Sequence, residues 1–402
     1  MSGVKHQGAG PGPPHPATAW LYAGFLFTGS LTVLLGLLLP RIATRHHLTD
    51  SESGVLLLIQ FATCASGALL VRRHFERTLM RGFALITAGA GMLMLRPETW
   101  AALGIGVGGL GLGMAMTSTS MLVGRIFPAS RGSALSLLNL CWSIGAFVCP
   151  VVVARLPASF SLVDVCAPVA ALSAGFVVLL WPSRMATSAA QQVPADDTHP
   201  SRRGVIVLFA VIGFLYVGTE SALGAWMSTY ASRAVAWNFT RSNLAAACFW
   251  GALLLGRALA PAALRMVSEV RLYPGLIAGA SVGIVLLLEA HSPWVLLAGA
   301  CCAGLALAPV FPLTISLFLA RAGETRNAGW VFAIAGFGAA VMPWMTGVVS
   351  SDTHSLRTGL MVTLAADLAM LLVALLTIPS PWTARPRGVP ARAQGCEPPA
   401  NA

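Results

Sequence analysis

Runs of about 20 apolar residues follow one another along almost the whole chain, each closed by a short polar or turn-forming stretch. At a rise of about 1.5 Å per residue, such a run crosses the ~30 Å hydrocarbon layer of a membrane as one helix. Hydropathy and its breakers predict helices at 17–39, 54–74, 79–96, 100–124, 133–155, 162–181, 204–231, 242–263, 271–289, 293–319, 327–349 and 356–378. That makes twelve spans. The longest interruption, PSRMATSAAQQVPADDTHPSRR at 182–203, is rich in turn and loop formers and follows the sixth span. It is expected to be a cytoplasmic linker between a six-helix half at 17–181 and a second at 204–378. Residues 1–16, which lack the apolar stretch of a signal peptide, and residues 379–402 are expected to be disordered cytoplasmic tails.

Composition agrees with a membrane as the solvent. Of the 402 residues 56% are hydrophobic and 10% charged, against about 25% charged in a soluble domain. Lys and Arg accumulate in cytoplasmic loops. With both termini inside, the inner segments hold 17 of them, and the outer loops hold 7: Arg41, Arg45, Arg96, Arg155, Arg233, Arg241 and Arg357. Both termini are therefore expected in the cytoplasm. The formal charge of +11 is the inner-face excess facing anionic lipid, and it needs no nucleic-acid partner. With 24 Arg to a single Lys and abundant Ala, the expected location is a bacterial inner (plasma) membrane. Seven of the eight cysteines fall within predicted spans, and their spacing suits neither a disulfide nor a metal site, so no cofactor is expected. The histidines lie in tails and loops, and no nucleophile–base set marks an enzyme.

The chain repeats itself. SIGAFVCP (143–150) and GFGAAVMP (336–343) share Gly, Ala, Val and Pro at an offset of 193, which also sets Gly111-Leu112 over Gly304-Leu305. Two similar halves in parallel orientation are one build of secondary transporters. Over about residues 17–380 the chain resembles the major facilitator superfamily, through GLLLPRIATRHHLTDSESGVLL (36–57) and RGSALSLLNLCWSIGAFVCP (131–150). FWGALLLGR (249–257), GLALAPVFPLTISL (304–317) and GFGAAVMPWMTGVVS (336–350) are most similar to its fucose/galactose-type sugar:proton symporters. The resemblance implies an all-α membrane protein of twelve transmembrane helices in two pseudo-symmetric six-helix halves, working by alternating access. Two departures stand out. In GALLVRRHFER (67–77) Val71 replaces the acid of the family's loop between helices 2 and 3, leaving Arg72 and Arg73 as gate candidates. Helices 1 and 4 carry no Asp or Glu, although that branch commonly keeps acids there.

Glu220 interrupts the otherwise apolar LYVGTESALGAWMSTYA (215–231) just past the middle of the seventh span. A charged carboxylate at that depth costs several kcal/mol unless it is paired, hydrated or protonated. In the resembled fold this helix lines the central cavity, so Glu220 is read as a proton relay or a substrate acceptor. The alternative is a structural acid bonded to Tyr216, one turn back. Asp164 and Glu289 sit at outer helix ends, in reach of water. Asp367, near the centre of the last span, is read as a structural hydrogen-bonding group. Arg257 differs from Glu220 in depth by roughly 11 Å at the helical rise. It is therefore read as snorkelling to the inner surface, a third gate residue.

Polar and aromatic stripes complete the candidate lining. Ser136, Asn139 and Ser143 share a face of the fifth span with Trp142 beside them. Gln60 pairs with Thr63 on the second span, Thr28 with Thr32 on the first, and Trp226 with Tyr230 on the seventh. Trp250 and Phe337 are added from the eighth and eleventh. Aromatic faces with amide and hydroxyl groups suit a sugar-like polar solute, carried as symport with protons as the candidate coupling ion. Two alternatives stand beside it: proton-driven efflux of amphipathic organic compounds, and a non-transporting sensor or lipid flippase on the same fold. The expected partners are the solute, protons and the bilayer, with the protein a monomer.

Overall fold

The computed structural model describes residues 16–95, 97–157, 159–180, 203–322 and 328–377. Apart from Pro16, which opens α1, the predicted tails lie outside these residues, as does the linker up to Arg203. The described chain forms α1 (Pro16–His46), α2 (Asp50–Leu69), α3 (Phe75–Leu95), α4 (Pro97–Ile126), α5 (Arg131–Val153), α6 (Leu162–Leu180), α7 (Arg203–Ala234), α8 (Phe239–Met266), α9 (Glu269–Leu288), α10 (Pro293–Leu307), α11 (Val310–Ala322), α12 (Ala328–Thr353) and α13 (Leu356–Thr377). Among the described residues there is no strand, and 12 spans are long and apolar enough to cross a membrane.

Thirteen helices make twelve spans because the tenth span is broken. Pro309 has no N–H to give the carbonyl of Leu305, so α10 stops at Leu307, and α11 resumes at Val310 with the Leu313 N–H bonded to the Pro309 carbonyl at 3.1 Å. The second span begins at Asp50, not at 54. Thr49 caps it, accepting from the Glu52 N–H while the Glu52 side chain accepts from the Thr49 N–H: a capping box.

The internal repeat reappears as packing. In the first half the main contacts are α3 on α4, α2 on α4, α1 on α5 and α3 on α6. Their counterparts six spans later are α9 on α10, α8 on α10, α7 on α12 and α9 on α13, and all four are present. Small residues allow these approaches, as is usual where lipid provides no hydrophobic drive between helices. A Cβ on Gly145 of α5 would strike the Leu26 backbone of α1, and the Ser30 hydroxyl donates to the Gly145 carbonyl at 3.0 Å.

Across the seam between halves, α1 packs on α7, and α5·α8 and α2·α12 form a symmetry-related pair of contacts. The end of the bundle carrying the α1–α2 and α7–α8 turns is here termed distal, and the end carrying the first and last helix termini is termed terminal. Distally the halves meet closely: a Cβ on Gly36 would lie 2.7 Å from the Ala225 Cα. Phe160 and Phe239 face each other at 5.5 Å, with the Arg41 guanidinium 4.2 Å from the Phe160 ring. Toward the terminal end, the face of α5 that meets the second half at Ser143 becomes exposed at Asn139 and Ser136. The halves therefore diverge in that direction.

Candidate functional site

Glu220 sits on the buried side of α7, held there by the packing of α7 on α12. Gly218 lies against Met342 and the Gly338 carbonyl, and the Trp226 indole donates to the Pro343 carbonyl at 2.9 Å. Only 9% of Glu220 is exposed. The Tyr216 hydroxyl, one turn back, donates to its carboxylate. On the other side Arg257 Nη2 stands 3.5 Å from Glu220 Oε1, and Arg257 Nη1 donates to the Ser143 Oγ of α5 at 2.7 Å. The Ser143 hydroxyl spends its own proton on the Asn139 carbonyl at 2.9 Å, which leaves a lone pair for the guanidinium. Tyr216, Glu220, Arg257 and Ser143 thus form one chain of contacts from the second half into the first.

Arg257 therefore does not snorkel to the inner surface. The depth argument compared Cα atoms, but a helical side chain leans toward the N-terminus of its own helix. Because α7 and α8 run in opposite directions, Glu220 leans terminally and Arg257 distally, and the two close the gap. Arg257 is also fixed from behind, because the neighbouring Gly256 lies against Ala308 and the Leu305 carbonyl at the break between α10 and α11.

Two tryptophans stand beside the pair. Trp142 and Trp250 meet edge to face across the seam at 5.8 Å, the Trp250 ring resting on Gly224 one turn beyond Glu220. The Arg257 guanidinium lies 5.4 Å from the Trp142 ring. Among the described residues neither indole N–H has an acceptor. Phe311, just past the helix break, stacks on Tyr216 at 5.7 Å.

Other expected lining residues are elsewhere. Thr28 is fully buried and donates to the Phe25 carbonyl of its own helix at 2.7 Å. Gln60 donates to the Thr32 carbonyl at 3.0 Å, inside the first half. Trp226 belongs to the α7–α12 contact, and Tyr230 donates to the Leu287 carbonyl of α9 at 2.7 Å. For each, a backbone carbonyl is the partner, so packing has taken the polar group that the stripe offered. Asn139 is exposed on the diverging face, its amide bonded to the Leu135 carbonyl at 3.0 Å. Phe337 is exposed and joins none of the cluster's ring contacts. Arg72 and Arg73 are exposed in the α2–α3 turn, and among the described residues no ion pair ties them to the second half.

The structure adds a lock at the distal end that the stripes did not point to. Arg233 of α7 makes a bidentate pair with Asp50 of α2, at 2.6 and 2.7 Å. Asp50 also accepts from Ser350 of α12, and the Ser51 N–H donates to the Ser351 hydroxyl at 2.7 Å. The one sequence signal was the capping box, which starts α2 at Asp50 and so fixes the carboxylate at the helix end. Asp367 accepts from Ser281 of α9 at 2.6 Å, away from the seam, and among the described residues its other oxygen has no partner. Asp164 caps its own helix through Ser161, and Glu289 pairs with Arg357.

A fold of two related six-span halves with charged groups on the seam defines a membrane carrier. The profile of the Major Facilitator Superfamily matches residues 20–328. The chain belongs to that superfamily, and it is a transporter rather than an enzyme. No curated protein matches it. Among solved structures it is similar to the human organic anion transporter MFSD10 (TETRAN), with 14% identity and a TM-score of 0.67 over 90% of this chain and 100% of that one. It is also similar to FucP in the outward conformation, with 16% identity and a TM-score of 0.61 over 90% and 98%. A bacterial homologue of the human drug peptide transporters PepT1 and PepT2 gives 13% and 0.66 over 90% and 96%. These likenesses concern the fold.

Proposed function

We propose that the protein is a proton-coupled carrier of a small polar, sugar-like solute, with Glu220 exchanging the proton and Arg257 acting as the movable link between halves. The observation that carries this reading is the placement of one buried ion pair on the seam, where Arg257 touches Glu220 of one half and Ser143 of the other. Paired, the two charges cancel and tie the halves together. A proton on Glu220 removes its claim on Arg257 and frees the guanidinium for solute. The net-neutral pair, the exposed Asn139 and Ser136 and the two unpartnered indole N–H groups support a neutral, hydroxyl-bearing solute.

Efflux of an organic anion is the second reading, supported by the same freed guanidinium, which matches a carboxylate in charge and geometry. Uptake and counterflow of a labelled panel of sugars and carboxylates in proteoliposomes, with and without an imposed pH gradient, separates the two. In Glu220→Gln, accumulation against a gradient should be lost and its pH dependence flattened, while exchange persists. Retained uphill transport in that variant overturns the coupling.

The excess of basic residues on one side supports an inner-membrane orientation with the terminal end in the cytoplasm. A cysteine introduced at Ser188, in a background with the native cysteines replaced, should react with an impermeant thiol reagent in inside-out vesicles. Labelling from outside intact cells reverses the orientation.

A further inference from the structure

A cavity apart from the Glu220–Arg257 cluster borders the seam only at its distal end, through Arg41 and Phe160. A crevice of about 680 Å³ opens near the distal end of the first half, between α1 and the group formed by α2, α3, α4 and α6. Helix α1 touches α2, α4 and α6 only lightly and leaves a gap. Its walls are apolar, with Leu31, Leu35 and Leu38 of α1 facing Ile59, Leu93 and Leu112. From Leu31 to Arg45 the α1 wall runs about 21 Å at the helical rise. Gly108 of α4 lines it, and a Cβ added there would meet nothing within 4 Å, although the neighbouring Gly109 is pressed against the Gln60 backbone. Glycine at 108 is therefore not demanded by helix packing; it keeps the crevice open.

The mouth is basic. Among the described residues Arg41, Arg45 and His46 stand there beside one acid, Glu52. Glu52 accepts from both the Thr49 N–H and the Thr49 hydroxyl through Oε2, at 2.8 and 2.9 Å, so much of its hydrogen-bonding capacity is used by the cap. Arg41 is held over Phe160, whereas Arg45 is exposed and makes no ion pair among the described residues. An apolar bore with a cationic rim matches an amphiphile with an anionic head. A volume of this size is that of a drug-sized ligand, which suits a single tail rather than a two-tailed lipid. We propose that the crevice binds a single-chain anionic amphiphile, a long-chain carboxylate, with its tail along α1 and its head at Arg45.

The test uses the full chain in nanodiscs of zwitterionic lipid and a long-chain fatty acid carrying a diazirine near its tail end. Adducts on the crevice walls are expected, with labelling reduced about tenfold in Gly108→Phe and several-fold in Arg45→Gln. The methyl ester of the probe should label as weakly as the acid does in Arg45→Gln. Unlabelled acids should compete about three- to fourfold better per added methylene until the bore is filled. The head-group and chain-length comparisons stand even where Gly108→Phe fails to fold. Equal labelling by the ester, adducts spread over the lipid-facing surface, or preferential capture of a two-tailed anionic phospholipid probe overturns the proposal.

Discussion

Arg257 and Glu220 protect one another from the cost of a lone charge in an apolar interior. Removing one partner of a buried pair costs about 3–5 kcal/mol, because the survivor stays buried and uncompensated. Here the Arg257 side chain keeps 17% of its exposure and the Glu220 side chain 11%, so the low end applies. Glu220→Gln should therefore lower thermal stability in detergent, and adding Arg257→Gln should restore most of it. Additive losses in the double variant would mean that the two side chains do not depend on each other. Glu220 was legible in the sequence, because a single acid in an apolar span stands out. Its partner was not: spacing gives the depth of a Cα, while the contact depends on the length and lean of two side chains. The same limit moved Thr28, Gln60, Trp226 and Tyr230 from the lining into packing. A polar residue on a stripe says nothing of the carbonyl waiting on the next helix.

Helix positions were legible to within a few residues because hydropathy acts on whole segments. The departures include the break at Pro309 inside an unbroken apolar run, the capping box that moves the start of α2 back to Asp50, and α1, which runs on to His46 past the expected end at 39. The glycines separate two kinds of helix contact. Gly145 fits α5 against α1 within one half, where neither backbone can withdraw. Gly145→Val should therefore prevent accumulation in the membrane, measured by abundance. Gly36 fits α1 against Ala225 across the seam, where the halves can part. Gly36→Val should fold and should lengthen the distance between spin labels at Thr44 and Thr240, both exposed near the distal turns. Loss of Gly36→Val from the membrane would place that contact among the structural ones.

Over the whole molecule, closure at the distal end rests on the Asp50–Arg233 pair and its serines. Arg233 is half exposed, so the pair contributes about 1 kcal/mol, or roughly a fivefold bias toward the closed state. Asp50→Asn should raise the open population by about that factor in the same spin-label measurement. The swap Asp50→Arg with Arg233→Asp should return it toward the starting value. No change in either variant would assign closure to helix packing alone. The repeat and the twelve spans made the two halves readable from sequence. The seam was not readable, since Asp50 and Arg233 are 183 positions apart and no periodicity between them brings them together.

Glu220 and Arg257 carry opposite charges, so an electric field across the membrane does almost no work on them when they move as a pair. A proton on Glu220 leaves the guanidinium uncompensated, and the field then acts on one elementary charge, by up to about 2.3 kcal/mol per 100 mV. The empty carrier should thus reorient indifferently to voltage, while the protonated form is drawn toward whichever side is negative.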